Sequence, residues 1–156
     1  MRITNFEIDF IERTKNLVIE YNGEYKLTNL LNCLIGLIIL PNERAQDDFP
    51  MVWDEEIKDL PIYPDLKILS FEPIQKIDRQ SGKITYYPKT LKFFLKKLRN
   101  GIAHQNIKPI NDGNLFVGVT ISNRFQGIKD FEIEFRRKEL QIFAIFIAEQ
   151  YLHHIR

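Results

Sequence analysis

Residues 95–107 read LKKLRNGIAHQNI, and their reading decides the rest. Leu95, Leu98 and Ile102, with Leu91 before them, recur at three- and four-residue steps and mark an amphipathic helix starting near Pro88. Into that pattern are set Arg99, Asn100 and His104, the one place where residues suited to chemistry cluster inside an apolar repeat. Arginine is permanently charged and forks onto phosphate oxygens. Histidine exchanges protons near neutral pH. Held together, the two make a minimal kit for cleaving a phosphodiester without a metal ion. At about 100° per residue, Asn100 and His104 share a face with Phe93, while Arg99 lies roughly 140° from His104, nearer the leucine stripe. Convergence of Arg99 and His104 then requires either that the helix loosen at Gly101 or that a second copy of the chain complete the site.

Working outward, the period changes after the motif. Residues 115–123 (LFVGVTISN) and 131–135 (FEIEF) alternate as strands do, with a turn at 111–114 and a third strand at 107–110. This small sheet is expected to pack beside the helices, leaving the core to them. The final helix, about 137–154, carries Leu140, Phe143, Ile147 and Tyr151 on one side and further apolar residues on others. It is therefore expected either at the centre of the fold or at a subunit interface. Before the motif, a first helix over about 5–22 places Phe6, Phe10, Leu17 and Tyr21 on one side, flanked by Ile3 and Val18, and stops at Asn22-Gly23. A second, over about 25–40, is apolar around most of its circumference and is expected to end at Pro41. The short link between them implies an antiparallel pair. Six of the seven prolines and the acidic residues Asp54, Glu55, Glu56 and Asp59 fall in 41–88, which reads as a long irregular connection. Within it, 74–87 reads as a hairpin turning at 79–82.

At 156 residues, 44% hydrophobic and 28% charged, the chain suits one domain, 1–156, with a sizeable core. Its net charge of +1 neither demands nor excludes nucleic acid, so any attraction to RNA has to come from a local patch. The single cysteine, Cys33, sits in an apolar run and reads as a buried thiol in a reducing compartment. One cysteine and three histidines argue against a structural zinc site, and neither metal nor cofactor is expected. Residues 30–40 are too few for a bilayer and the N-terminal stretch carries acids, so no membrane association is expected and the cytoplasm is the default location.

Over Leu98-Arg99-Asn100-Gly101-Ile102-Ala103-His104 the sequence resembles the HEPN superfamily of small helical proteins. Their hallmark is an arginine, often followed by a polar residue, and a histidine after four to six positions. Here four residues intervene and Asn100 fills the polar slot. The order helix, helix, long connection, motif helix, last helix is similar too, most of all to bacterial HEPN nucleases with a β element before the last helix. The resemblance covers most of the chain and is weakest over 41–87. It implies a mainly α (α+β) fold, an antiparallel helical bundle with a small antiparallel β-sheet inserted before the last helix. It also implies a metal-independent endoribonuclease that cleaves RNA by 2′-hydroxyl attack. His104 would move the proton, Arg99 would stabilise charge on phosphorus, and Asn100 would orient His104 or bind a phosphate oxygen.

A homodimer with a composite active site belongs to the same implication. So does a toxin–antitoxin or phage-defence setting, with an antitoxin or inhibitor protein as partner. Some toxin members carry a modifiable tyrosine two positions after the histidine; this chain has Asn106 there, so control by that modification is not implied. Lys92, Lys96 and Lys97, with Lys89, read either as a solvated face or as an electrostatic track for RNA. Tyr86-Tyr87 either packs the helix start or stacks bases. Trp53 pins the long connection or presents a partner surface. The alternative to an enzyme is a non-catalytic HEPN module that holds RNA or a protein.

Overall fold

The two N-terminal apolar repeats form α1 (Asn5–Glu20) and α2 (Lys26–Arg44) in the structure, a computed structural model that describes residues 5–44, 51–73 and 75–155. The expectations placed on Ile3 and on 45–50 lie outside these residues. α1 buries Ile11, Thr14 and Val18, while Phe6 and Leu17 remain exposed. Two apolar lines run side by side on this helix, and packing against α2 and the C-terminal helix selects the one through Ile11 and Val18, not the expected line through Phe6 and Leu17. α2 buries Leu27, Leu30, Leu34 and Leu37 and continues past Pro41 to Arg44 instead of ending there. The proline has no N–H for the carbonyl one turn back, so the helix passes it with one hydrogen bond fewer.

The proline-rich segment is far more ordered than an irregular connection. Its prolines punctuate three short 3-10 helices, Met51–Asp54, Ile57–Asp59 and Tyr63–Asp65, and then a strand, β1 (Lys67–Phe71). Trp53, Ile57, Leu60 and Ile62 point into the core, and the Trp53 ring meets Tyr151 edge-on at 5.0 Å. Two backbone bonds, Ile57 N–H to Lys89 O and Leu91 N–H to Glu55 O, both 2.9 Å, tie the segment to the start of the motif helix. The expected hairpin is present as β2 (Gln75–Ile77) and β3 (Ile84–Tyr86). Its turn is closed by the Asp78 carboxylate accepting from Gln80 N–H at 2.8 Å, which holds that carboxyl below its ordinary pKa.

The helical-bundle expectation is not met: the fold is mixed α+β. Among the described residues there are four α-helices and six strands. β1 joins β6 (Ile128–Arg136), β5 (Leu115–Phe125) and β4 (Ile107–Asp112) in one antiparallel sheet of order β1-β6-β5-β4. The sheet does not sit beside the core; it supplies one wall of it. Val119 and Ile121 of β5 and Phe131, Ile133 and Phe135 of β6 are all fully or nearly fully buried. They face the motif helix α3 (Leu91–Ala103) and α4 (Arg137–Ile155) through Phe94 and Phe143. Phe71, Phe94, Phe131, Phe135 and Phe143 form a chain of ring contacts 5.2–5.9 Å between centroids. β1 is moreover drawn from the proline-rich segment, so the sheet is not wholly inserted before the last helix. At its edge, Lys67 (3.0 Å) and Arg136 (3.1 Å) both reach Glu134, and Lys67 above all holds that carboxyl below its usual range. α4 is centrally buried along Leu140, Phe143, Ile147 and Tyr151.

If the proline-rich segment is part of the core, removing its anchor should be expensive. Trp53 is 1% exposed, and Trp53→Ala should lower the unfolding free energy by about 3–5 kcal/mol in urea titrations. A loss below about 1 kcal/mol, the scale of an ordinary surface change, contradicts this placement.

Candidate active site

α3 begins where Thr90 caps it: its Oγ1 accepts from Phe93 N–H at 3.3 Å, satisfying one of the helix's unpaired donors. The buried side carries Leu91, Phe94, Leu95, Lys97, Leu98 and Gly101. Gly101 is where the helix comes closest to the sheet. A Cβ there would overlap the carbonyl oxygen of Ser122 on β5, so only glycine lets the two backbones approach this far. The helix continues through it to Ala103, so Gly101 is a packing contact, and of the two routes to convergence the loosened helix is not the one seen.

The end of α3 is closed with equal definition. His104 is the C-cap, and the next residue, Gln105, adopts a left-handed backbone at φ 59°. Gln105 N–H bonds Ile102 O at 3.1 Å and Asn106 N–H bonds Gly101 O at 2.8 Å, the paired return bonds of a Schellman motif. Asn106 O then accepts from Ser122 N–H at 3.1 Å, so the turn after the histidine passes directly into sheet pairing. Asn106, noted from sequence only for what it is not, is a backbone link between helix and sheet.

Lys97 lies away from the exposed face that both of its readings, a solvated charge and part of an RNA track, require. It is 6% exposed and its Nζ is 2.6 Å from Asp130 Oδ2 on β6. Asn123 of β5, also buried, donates from Nδ2 to the other oxygen at 3.0 Å. Lys97 also lies over the Phe125 ring at 5.8 Å. This lysine binds the helix to the sheet, and Lys92 and Lys96 alone of the three remain exposed.

The motif residues occupy the opposite side. Arg99 and Asn100 are half-buried and His104 is exposed. At about 100° per residue, Arg99 and Lys92 lie at one border of the exposed face, Lys96 near its middle, and Asn100 and His104 towards the other border. Within one chain the structure therefore places the arginine and the histidine on a single exposed face but on its two flanks. Three cations and a histidine on one rigid surface can meet a phosphate backbone. Cys33 is buried, and burial pushes its thiol pKa up, as suits a core residue and not a nucleophile. Among the described residues no group of three or more His, Cys, Asp or Glu could hold a metal ion, and no helix is long and apolar enough to cross a membrane.

Sequence reasoning placed Arg99, Asn100 and His104 on α3 but missed what fixes the helix. A glycine one turn from a helix end, where alanine propagates better, was the available signal for Gly101. Nothing local announces Asp130 as the partner of Lys97. The two backbone positions should respond with opposite signs. Gly101→Ala should cost about 1–3 kcal/mol by overpacking against β5, whereas Gln105→Gly should gain about 0.5–1 kcal/mol by relieving the left-handed strain. Chemical denaturation reads both, and a neutral Gly101→Ala contradicts the close contact.

A family model described as HEPN pEK499 p136 matches residues 1–156. No curated protein and no solved structure matches the chain significantly. Since the match spans the whole sequence and includes the α3 motif, the chain belongs to the HEPN pEK499 p136 family.

Proposed function

We propose that this protein is a metal-independent endoribonuclease working as a homodimer, with Arg99, Asn100 and His104 of two copies lining one cleft. The observation that carries the reading is the placement of Arg99 and His104 on the two flanks of one exposed face of α3, in a chain of the HEPN family. HEPN domains are in general associated with nuclease activity or RNA binding. A second copy related to the first by a twofold axis running along α3 would bring the arginine flank of one helix to the histidine flank of the other. This route to a complete site needs no change in the helix.

In such a cleft a ribose 2′-hydroxyl attacks the adjacent phosphorus as His104 takes its proton. Arg99 binds the non-bridging oxygens as negative charge builds on them, and Asn100 orients the imidazole or holds a phosphate oxygen. The 5′-oxygen leaves, taking a proton from the second copy's His104 or from water. The products are a 2′,3′-cyclic phosphate and a 5′-hydroxyl. DNA, lacking the 2′-hydroxyl, is not cut by this route. Lys92 and Lys96 attract the backbone to the same face. A toxin or phage-defence effector restrained by an antitoxin or inhibitor protein is the setting that suits such an activity.

A second reading, a HEPN module that binds RNA or a protein without cutting, is favoured by one observation. Within a single chain the arginine and histidine do not share a flank. Purified protein and mixed RNA in the presence of chelator separate the two. The enzyme reading expects cleavage that leaves cyclic phosphate ends, spares DNA, and falls by at least about 100-fold in His104→Ala and Arg99→Ala. Intact RNA, or cleavage indifferent to both substitutions, overturns it; RNA bound but uncut favours the second reading.

A further inference from the structure

A cleft lies at the other end of α3. It encloses about 650 Å³ between β1, the 3-10 helices and the exit of β3. Ligand sites commonly occupy about 300–1,000 Å³. Three tyrosines open onto it: Tyr63, Tyr86 and Tyr87, which are 41%, 57% and 39% exposed. Tyr63 and Tyr86 are left this open in a fold with a large buried aromatic core.

Cations are interleaved with the rings. Lys76 Nζ lies 5.6 Å from the Tyr87 centroid and Lys89 Nζ 5.9 Å from that of Phe71, while Lys58 stands on the rim. Two acids, Glu56 and Glu72, also line the cleft, and Glu56 is engaged by Lys58 at 3.0 Å. The local charge is thus close to balanced, a poor seat for a bare phosphate and a suitable one for an uncharged aromatic ring. A protein strand could instead seek the free edge of β1. In its pairing with β6, β1 carries a register shift between Ile68 and Ser70, an irregularity that bends the strand and disfavours regular pairing at its other edge.

One ring contact joins the wall of the cleft to α3. Tyr87 packs on Phe93 at 5.7 Å between centroids, and Phe93 lies on the same line of α3 as Asn100 and His104. The rise of about 1.5 Å per residue puts roughly 16 Å between Phe93 and His104, with Lys96 in between. A strand of a few nucleotides covers that distance.

We infer that this cleft is a second binding site, for unpaired bases of single-stranded RNA, which stack on Tyr63 and Tyr86 while the backbone follows α3 towards Arg99 and His104. The site rests on the RNA reading above and names its substrate as single-stranded. Tyr87, held against Phe93, forms the fixed wall; Tyr63 and Tyr86 are the rings that meet the bases.

A labelled single strand of mixed sequence with 2′-O-methyl groups throughout tests this by fluorescence anisotropy, since it binds but cannot be cut by 2′-hydroxyl attack. Tyr86→Ala should weaken binding about 5- to 150-fold, the effect of one lost base stack, with Tyr63→Ala adding to it. Tyr86→Phe should retain wild-type affinity, and thermal unfolding should show all variants folded, because both rings are exposed. The same sequence as a duplex should bind without dependence on either tyrosine. Wild-type affinity in the double alanine variant overturns the inference, as does a duplex that depends on the tyrosines equally. Failure of the wild-type protein to bind the single strand also overturns it and leaves the cleft to a protein strand. Failure of the nuclease reading is separately visible, as intact ordinary RNA in a protein that still binds this probe.

Discussion

The close approach of α3 to β5 at Gly101 is the constraint on which the arrangement depends. Because a glycine backbone rests against the Ser122 carbonyl, the helix lies low on the sheet. Leu98 and Phe94 can then reach the ring cluster around Phe131 and Phe143. The same seating fixes which face of α3 is left outward, and that face carries Lys92, Lys96, Arg99 and Asn100. A helix raised by the width of a methyl group would lose contacts along its whole buried side, since protein interiors tolerate little misfit.

Polar groups define the seating further. A buried ion pair such as Lys97–Asp130 contributes little net stability when compared with a well-packed apolar pair, because both charges give up water. Its effect here is on register. Asp130 is satisfied by Lys97 and Asn123 together, so sliding or rotating the helix would leave the buried Lys97 ammonium without its carboxylate. The Schellman turn and the Asn106–Ser122 bond do the same for the helix end. Arg99, Asn100 and His104 are therefore carried on an element defined by backbone and buried contacts on its inner side. The aromatic cleft lies at the opposite end of the same helix, where Thr90 and the proline-rich segment hold it.

Much of this was legible in the sequence, for physical reasons that can be named. Periodicities of 3.6 and 2 located four helices and the three C-terminal strands, because each has a buried face, whereas the hairpin, exposed on both faces, was legible from its turn residues. The weight of the sheet was not legible. β1 comes from a stretch whose prolines signal interruption, and its partner β6 lies some sixty residues later, so only tertiary pairing reveals it. On α1 the spacing favoured the line through Phe6 and Leu17, and only packing against the other helices shows that the adjacent line through Ile11 and Val18 is inward. At the candidate site the residue types and their spacing were visible in LRNGIAH, whereas the inward turn of Lys97 depends on Asp130, 33 positions away. Gly101 looked like a point of weakness because sequence shows a missing side chain but not the backbone that fills its place.

The account requires the turn that carries His104 to be as firmly held as the middle of α3. Native-state amide hydrogen exchange at Gln105 and Asn106 measures this directly. Both N–H groups donate to helix carbonyls, and Asn106 is also joined to β5 through its carbonyl. They should exchange only through openings close in free energy to global unfolding, at the level of the Phe94 and Leu98 amides. Exchange at the rate of an open loop, with the rest of α3 protected, would contradict the claim that the helix and sheet together fix the site.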